Sequence, residues 1–283
     1  MIQIENCSFA YRKKNNLFSS LNLELEGGSI YGLLGKNGAG KTTLLKLIAG
    51  LLFPKEGNIT VFGNESRLRL PDMLSEICFI PEEFNIPSVT TELYRALYAP
   101  LYPRFSEEDF TRYLKELELD PEENLSSMSY GQKKKFQIAF GLATNCSLFI
   151  LDEPTNGLDI PSKSQFRKLL ASTLTDDRLF LISTHQVRDM QNLIDPIVIL
   201  DEGEVIFKQD AFQVARKLTV KIQDLEPDPA AVLYVEKVLG GYAAVQENTD
   251  GSEVQVDVEL LFNAVINNRD KVQGIFTKEE VKK

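Results

Sequence analysis

One short stretch constrains the fold more than any other feature of the sequence. It reads Gly35-Lys-Asn-Gly-Ala-Gly-Lys-Thr-Thr43 and fits the pattern G-x-x-x-x-G-K-[ST]. A nearly continuous apolar run from Ser29 precedes it, and a helical pattern from Lys41 to Phe53 follows it. A buried strand that enters a helix through a glycine-rich turn predicts an α/β layer built on a parallel sheet.

The stretch suits the binding of phosphate. Its glycines let backbone N–H groups converge on an anion without interference from Cβ atoms, and the helix N-terminus adds positive potential. Lys41 would reach the β- and γ-phosphates of a nucleotide, and the Thr42 hydroxyl would bind Mg²⁺. A chance glycine turn is the alternative, and the strand before and the helix after argue against it. The other predicted contacts are Gly35, Asn37, Gly38, Gly40 and Thr43.

A nucleotide-hydrolysing site of this kind also needs a carboxylate at the end of a buried strand to hold the metal ion. Two strand-like segments end in Asp-Glu, namely Leu148–Glu153 and Ile197–Glu202. An alternating run follows the second, which predicts a hairpin turn at Asp201. The first is followed by a loop without a returning strand. We therefore predict that Asp152 binds Mg²⁺ and that Glu153 polarises the attacking water.

The chain contains a single histidine, His185, directly after the strand-like run Leu179–Thr184. A lone histidine is more often structural than functional. In an open α/β sheet, however, ligands gather at the carboxyl ends of strands, which is where His185 stands. Position alone leaves both interpretations open.

Periodicity indicates how the chain is organised around these motifs. Residues 2–9 and 21–25 alternate apolar and polar positions, as half-buried antiparallel strands do. A helix-rich stretch from Thr90 to Cys146 interrupts a mainly parallel sheet, with helix starts at Thr91, Ser106 and Gly131. The other predicted strands are 59–62, 77–80, 148–151, 179–183 and 197–200.

We predict two domains. Residues 1–215 form the nucleotide-binding domain, with a helical subdomain at about 84–146, and residues 216–283 form a small α+β unit of unknown role. The elements predicted for this unit are a helix from Asp228 to Gly240, strands 242–247 and 253–258, and a helix from Glu259.

Composition excludes several classes of protein. The chain has 31 basic and 41 acidic residues, a net charge of −10, so it is a poor candidate for binding nucleic acid. Cys7, Cys78 and Cys146 are too few and too far apart for a disulfide framework, which favours a reducing compartment. The longest apolar segment, Leu47–Phe53, is far short of the roughly 20 residues that span a bilayer, and the N-terminus lacks a signal-peptide pattern. We predict a chain that does not itself cross a membrane.

In order and spacing, these segments resemble the motifs of the ATP-binding cassette (ABC) ATPases over about residues 2–210. Gly35–Thr43 resembles the Walker A loop, Leu148–Glu153 the Walker B strand with its base, and His185 the switch histidine. The other matches are Tyr11 for the aromatic that stacks on adenine, Glu82 for the Q-loop residue, Ser129-Tyr-Gly-Gln132 for the signature loop and Asn156-Gly-Leu-Asp159 for the D-loop. The resemblance implies a P-loop NTPase with a RecA-like, mostly parallel core sheet, an N-terminal antiparallel β subdomain, a helical insertion and a small C-terminal α+β appendage.

Two departures from the family pattern bear on the site. Glu82 stands where glutamine is usual, and it still offers an oxygen to Mg²⁺ or its water. Tyr130 stands where a small residue is common, which leaves Ser129 and Gly131 to bind phosphate. The lysine run 133–135 that follows predicts a solvated helix face in preference to nucleotide steering.

The resemblance implies Mg²⁺-dependent ATP hydrolysis in a head-to-tail dimer, homomeric or heteromeric. Ser129 and Gly131 of a second ATPase subunit would then seal the γ-phosphate. It further implies the ATPase subunit of a transporter whose permease is a separate membrane chain, with export favoured and a cytoplasmic, peripheral position at the inner face of the cell membrane. The alternative is a soluble ABC ATPase of a cytosolic assembly, such as iron–sulfur cluster biogenesis. A regulatory ATP switch without turnover is disfavoured, because Glu153 and His185 are both present.

Overall fold

The structure, a computed structural model, describes residues 1–12, 16–249, 251 and 257–277. In chain order its strands are β1 (Ile2–Phe9), β2 (Phe18–Leu25), β3 (Ser29–Leu34), β4 (Glu56–Val61), β5 (Asn64–Glu65), β6 (Ile77–Ile80), β7 (Leu148–Asp152), β8 (Leu179–Thr184), β9 (Ile197–Asp201), β10 (Glu204–Gln209), β11 (Leu218–Gln223), β12 (Tyr234–Val238) and β13 (Gly241–Glu247). Its α-helices are α1 (Lys41–Ile48), α2 (Pro71–Leu74), α3 (Thr91–Tyr98), α4 (Glu107–Glu116), α5 (Tyr130–Ala143), α6 (Ile160–Thr173), α7 (Ala211–Lys217), α8 (Val258–Asn267) and α9 (Arg269–Thr277). None of these helices is long and apolar enough to span a membrane.

The N-terminal strands form the antiparallel sheet that their alternation predicts, in the order β2-β1-β4-β5. Along β1, Ile2 and Ile4 are buried while Gln3 and Glu5 are exposed, so one face of the sheet is apolar. That face packs against α1, and Leu44 of the helix belongs to the same buried cluster.

The core sheet carries the polar strand ends. Its order is β10-β9-β3-β8-β7-β6, and all neighbouring strands except β9 and β10 pair in parallel. Leu34 of β3 is level with Thr184 of β8, and Asp152 of β7 is level with Ser183. The carboxyl ends of these three strands therefore deliver the glycine-rich loop, the first Asp-Glu pair and His185 to one edge of the sheet.

The first core helix is shorter than its sequence pattern predicts. A run from Lys41 to Phe53 is expected, whereas α1 ends at Ile48. Gly50 takes a left-handed φ of 68°, and a Cβ there would lie 2.5 Å from the carbonyl oxygen of Ser66. The helix ends here because this backbone conformation leaves the α region and the neighbouring backbone leaves no room for a side chain.

The helix-rich stretch predicted between Thr90 and Cys146 forms α3, α4 and α5. Ser106 caps α4 as expected, since its hydroxyl accepts the N–H of Asp109 at 3.1 Å. The interior of this helical unit contains the aromatic rings of Tyr94, Phe110, Phe136 and Phe140. This packing holds α5 beside β6 and so fixes the loop that precedes α5 relative to the core sheet.

The C-terminal unit differs from the prediction at one helix. The sequence pattern predicts a helix from Asp228 to Gly240, and this prediction is wrong. Asp228 caps only a short turn, accepting the N–H of Ala230 at 2.9 Å, and Tyr234–Val238 forms strand β12. Aromatic and β-branched side chains favour the extended chain, and the glycine pair 240–241 turns it back into β13 instead of ending a helix.

Of the remaining C-terminal predictions, the strand at 242–247 is part of β13, and the helix from Glu259 is α8. The strand predicted at 253–258 lies outside the described residues at 253–256, and Val258 begins α8. The sequence pattern does not predict β11, which completes a sheet of order β11-β13-β12.

The C-terminal unit shares its hydrophobic core with the sheet that precedes it. Leu261 of α8 lies in the same buried cluster as Ile206 of β10. The rings of Phe207 and Phe276 meet edge to face, with centroids 5.2 Å apart. The unit is therefore packed against the edge of the core sheet that β10 forms.

Candidate functional site

The glycine-rich loop joins β3 to α1 and depends on positions without side chains. A Cβ at Gly40 would lie 2.8 Å from the ring of Phe18, and one at Gly35 would lie 2.5 Å from the carbonyl oxygen of Leu200. Gly38 and Gly40 take left-handed φ values of 84° and 109°, which glycine adopts without steric cost. The loop therefore runs close to the sheet and leaves the N-terminus of α1 facing a potential anion.

The Lys41 ammonium lies inside this loop. Its Nζ donates to the carbonyl oxygens of Gly35 at 2.7 Å and Lys36 at 3.3 Å, and the residue is only 8% exposed. Burial lowers the pKa of Lys41, and nearby carboxylates, of which Glu153 acts most strongly, oppose that shift. A cation held in this way is suited to meet the charge of a polyphosphate.

Asp152 ends β7 with its carboxylate beside the loop. Thr42 Oγ1 donates to Asp152 Oδ2 at 2.8 Å, and the Ser183 hydroxyl donates to Oδ1. The aspartate is 1% exposed. A buried carboxylate next to a hydroxyl offers the oxygen ligands that Mg²⁺ prefers, so these residues fit a magnesium site.

Glu153 and His185 form a second polar pair at the same edge of the sheet. Glu153 has a left-handed φ of 45°, which costs a non-glycine residue roughly 1–2 kcal/mol. Its Oε1 accepts the backbone N–H of His185 at 3.0 Å and lies 2.7 Å from Nδ1 of the ring. The Glu153 carboxylate is therefore held by the residue that follows β8.

The second Asp-Glu pair lies in the hairpin that the sequence predicts. Asp201 is opposite Glu204 where β9 turns into β10. Glu202 and Gly203 carry left-handed φ values of 46° and 79°. Of the two Asp-Glu pairs, only the first lines the cleft that lies over the glycine-rich loop.

A cleft of about 860 Å³ lies over the loop. The Tyr11 ring is exposed, its hydroxyl lies 3.0 Å from Thr43 Oγ1, and its edge meets the Phe9 ring at 5.0 Å. An exposed ring anchored in this way can stack on a nucleobase. The predicted residues that line the cleft are Tyr11, Asn37, Gly38, Gly40, Lys41, Thr42, Thr43, Glu82, Asp152 and Glu153.

Glu82 reaches the cleft from the segment after β6. Its Oε1 accepts Nδ2–H of Asn156 at 2.9 Å. Asn156 Oδ1 in turn accepts Nε2–H of Gln186 at 3.2 Å. The Glu82 carboxylate is thus tied to the loop after β7, and through it to the residue next to His185.

Gly35 and His185 line a neighbouring cleft, which shares Asn37 with the first. The remaining predicted residues lie at two helix N-termini and do not line the cleft over the loop. Ser129 and Gln132 form a capping box on α5, in which each side chain accepts the other residue's backbone N–H, at 3.2 and 2.9 Å. A Cβ at Gly131 would lie 2.9 Å from the carbonyl oxygen of Gly157. Asp159 caps α6. The chain therefore separates these residues from its own glycine-rich loop.

Known proteins match the chain over this site. A family model described as ABC transporter matches residues 18–156. The bacitracin transport ATP-binding protein BcrA of Enterococcus faecalis is 30% identical over 210 residues, which cover 73% of this chain and 68% of that protein. The chain belongs to the ABC transporter family. A putative ABC transporter ATP-binding protein of Bacillus cereus is 32% identical over 225 residues, and the match covers 76% of this chain but only 39% of that relative.

Solved structures of ABC cassettes share the fold. An ATP-binding subunit of an ABC transporter aligns with a TM-score of 0.69 at 26% identity, covering 76% of this chain and 92% of that one. The dimeric ATP-binding cassette MJ0796, in a post-hydrolysis state bound to ADP and Pi, aligns with a TM-score of 0.65 at 25% identity, covering 74% of this chain and 98% of that one. These likenesses confirm the fold class and the resemblance inferred from the sequence.

For one lysine of this ABC cassette, Lys134, the prediction of a solvated side chain is wrong. The run 133–135 is expected to be a solvated helix face, but Lys134 is fully buried, at 0% exposure. Its Nζ donates to the carbonyl oxygen of Pro81 at 3.0 Å. The sequence signal that indicates this is helical spacing, since Lys134 lies one turn before the buried Ile138 on the same face of α5.

Ser183 also belongs to the site of this ABC cassette and is not predicted by the motifs. Its hydroxyl donates to Asp152 and accepts the N–H of Glu153 at 3.2 Å. A buried polar residue at the end of an otherwise apolar strand, level with Asp152, is the signal that points to it.

Proposed function

We propose that this chain binds ATP with Mg²⁺ in the cleft, hydrolyses it, and energises export through a separate membrane permease. The observation that carries the proposal is the convergence of two polar pairs on the glycine-rich loop, Thr42 with Asp152 and Glu153 with His185. Phosphoryl transfer to water needs positioning, charge neutralisation and an oriented water, and these four side chains with Lys41 supply groups for each need.

Binding is assigned to the loop and to the walls of the cleft. Lys41 and the backbone N–H groups of the loop hold the β- and γ-phosphates. Thr42, Asp152 and Glu82 hold Mg²⁺, which when bound neutralises charge on the phosphate oxygens. Tyr11 stacks on adenine, an interaction worth roughly 1–3 kcal/mol by analogy with other base–aromatic stacking.

Glu153 is the residue proposed to orient and polarise the attacking water. Its contact with the His185 ring, at 2.7 Å from Oε1 to Nδ1, keeps the carboxylate at the end of the sheet. His185 therefore supports Glu153, and it lines a neighbouring cleft together with Gly35 and Asn37 of the glycine-rich loop. The presence of both residues favours turnover over an ATP-binding switch without hydrolysis.

A second subunit completes each nucleotide site in this proposal. Ser129, Gly131, Gln132 and Asp159 lie outside the chain's own cleft, which suits contact with a nucleotide bound to a partner. A head-to-tail dimer with two-fold symmetry would pair each such loop with the opposite cleft. The dimeric state of the similar cassette MJ0796 supports this arrangement.

The transport role is supported by the names of relatives. BcrA is a bacitracin transport protein, and a Streptococcus pyogenes relative at 29% identity is a lantibiotic transport ATP-binding protein. The helical unit exposes Leu93 and Leu97 of α3, which offers apolar contact area to a permease. We place the subunit in the cytoplasm, at the inner face of the cell membrane through that permease. The iron–sulfur assembly alternative has no comparable support.

The Glu153→Gln substitution tests the catalytic assignment. The variant should still bind a fluorescent ATP analogue, while phosphate release falls by at least about 100-fold, the usual scale for losing a general base. Glu202→Gln is the matched control, because it makes the same change in the Asp-Glu pair of the hairpin. Turnover of Glu153→Gln within about threefold of wild type would refute the role of Glu153.

Purification from host membranes tests the transport assignment. We expect the full-length chain to co-purify with a polypeptide that has several hydrophobic spans. Recovery solely from the cytosolic fraction, together with iron–sulfur assembly proteins, would support the alternative instead.

A further inference from the structure

Lys134 is a charged group buried beside the site, and no role proposed above uses it. Its side chain is fully buried in α5, and Nζ donates to the carbonyl oxygen of Pro81 at 3.0 Å. Burying an ammonium group is costly unless partners compensate, so a fully buried lysine calls for a physical reason.

Part of that reason is the segment 81–84, to which Tyr130 and Lys134 of α5 make four contacts. The Tyr130 hydroxyl donates to the carbonyl oxygen of Glu82 at 2.8 Å. The Tyr130 ring stacks on Phe84 at a centroid distance of 5.4 Å, and Lys134 Nζ lies 5.5 Å from the centroid of the same Phe84 ring. With the bond to Pro81, one face of α5 holds both the backbone and the side chain of this segment.

Tyr130 of α5 also contacts the loop after β7. A Cβ at Gly157 would lie 2.5 Å from the Tyr130 ring, so the tyrosine packs directly on this loop. The Glu82 carboxylate meets the same loop, through Asn156 at 2.9 Å. Tyr130 thus fills the space between two segments that the Glu82–Asn156 hydrogen bond joins.

Nearby negative charge also helps to explain why the Lys134 ammonium group is buried. Burial lowers the pKa of Lys134 to about 8, and the carboxylates of Asp152, Glu82 and Glu153 act in the opposite direction. The ammonium therefore lies in the field of three acidic side chains of the cleft. One of them, Glu82, stands where a neutral glutamine is usual, so the site carries an additional negative charge.

We infer that Lys134 and Tyr130 are positioning residues of the nucleotide site, holding the 81–84 segment in place while the Lys134 ammonium offsets the charge of Glu82. The inference rests on the proposed function. Tyr130 lies between Ser129 and Gly131, the residues proposed to contact a partner's nucleotide. Its contacts with residues 81–84 therefore connect that loop to the Glu82 carboxylate in this chain's own cleft.

A charge-rescue experiment tests this inference by ATPase kinetics. Lys134→Met keeps the unbranched stem and removes the charge, so kcat should fall by about 10-fold or more with KM for ATP nearly unchanged, since small misplacements of a site cost up to about 100-fold. Adding Glu82→Gln removes the carboxylate that the lysine offsets. The double variant should therefore turn over at close to the rate of Glu82→Gln alone.

Lys133→Met is the matched control, since this neighbouring lysine is not buried, and it should stay within about twofold of wild type. Lys134→Gln, which keeps a hydrogen-bond donor without charge, replaces Lys134→Met should the latter fail to fold. Turnover of Lys134→Met equal to that of Lys133→Met overturns the inference. So does a double variant whose loss is the product of the two single losses.

A fluorescence reporter tests the positioning role without relying on turnover. The chain contains no tryptophan, so Phe84→Trp introduces a single tryptophan beside Lys134. Adding Lys134→Met or Tyr130→Ala should shift its emission and raise its quenching by acrylamide, whereas adding Lys133→Met should change neither. Unchanged quenching in both variants contradicts the inference. A wild-type chain without ATPase activity would refute the proposed function, and the reporter would still decide the inference.

Discussion

At the scale of single residues, two Asp-Glu pairs with similar strands before them occupy different environments. Glu153 and Glu202 both take left-handed φ values, 45° and 46°. The residue after each glutamate distinguishes the two pairs. Gly203, which follows Glu202, also takes a left-handed φ, of 79°, and completes a two-residue hairpin turn. Pro154 cannot do so, since its ring fixes φ at a negative value. One residue type therefore decides which Asp-Glu pair turns back into a hairpin and which is followed by a loop.

The Asp152→Asn substitution tests this distinction. Asparagine keeps the shape of the side chain but removes the charge that holds Mg²⁺, so we expect Mg²⁺-dependent phosphate release to be abolished. Asp201→Asn is the matched control and should stay within about twofold of wild type, as surface turn substitutions usually do. If Asp201→Asn abolishes activity in a folded protein, the metal-binding aspartate has been assigned to the wrong strand.

At the scale of elements, the C-terminal unit shows how packing overrides a local helix signal. Asp228 and the glycine pair 240–241 look like a helix start and a helix stop, yet the residues between them include strand β12. Five residues of β12 pair with β13, from Tyr234 opposite Val245 to Val238 opposite Gly241. Cross-strand pairing and burial against α8 stabilise the extended form, and neither is visible in a local window.

Leu261→Ala measures how firmly the unit is joined to the core. Leu261 is fully buried in α8, and removing a buried leucine side chain typically costs about 2–5 kcal/mol. We expect a loss of that size in the free energy of unfolding, in a single transition of the whole chain, because α8 shares its cluster with β10. Leu225→Ala is the matched control, since Leu225 is 81% exposed. Equal effects of the two substitutions, or two separate unfolding transitions, would contradict a shared core.

At the scale of the whole molecule, the predicted site residues fall into groups that do not line one cleft. The cleft over the glycine-rich loop is lined by Lys41, Thr42 and Asp152, while Ser129 and Gly131 lie at the N-terminus of α5 outside it. In the proposed function, a second subunit completes the γ-phosphate site. In the proposed function, bound ATP holds two subunits together and hydrolysis releases them.

Gly131→Asp in the Glu153→Gln background tests this composite site. Blocked hydrolysis should let an ATP-held dimer accumulate, and light scattering would detect it. The added carboxylate would oppose the partner's γ-phosphate, so the dimer should be lost while each chain still binds ATP through Lys41. Gly131→Ala separates charge from size, because any Cβ at this position would lie 2.9 Å from the Gly157 carbonyl oxygen. A normal ATP-dependent dimer in Gly131→Asp would exclude the composite site.

Much of the fold and of the candidate site follows from local sequence. Strand alternation in residues 2–9, the motif Gly35–Thr43 and the hairpin at Asp201 each depend on residues close together in the chain. Backbone conformation and the side-chain period are local properties, so a short window contains the information that determines them. The same holds for the order of motifs that identified the family.

The tertiary structure alone decided which side chains meet across the fold. Lys134 lies in a run of three lysines that reads as a solvated face, yet it is buried against Pro81 because α5 packs under the segment after β6. Ser183 contacts Asp152 because β7 and β8 are neighbours in register. Such contacts join residues that are distant in sequence, so they depend on the register and packing of whole elements. The sequence determined most of the elements and the residue types offered to the site. Packing decided that Tyr234–Val238 is a strand, and which charges and hydroxyl groups surround the site.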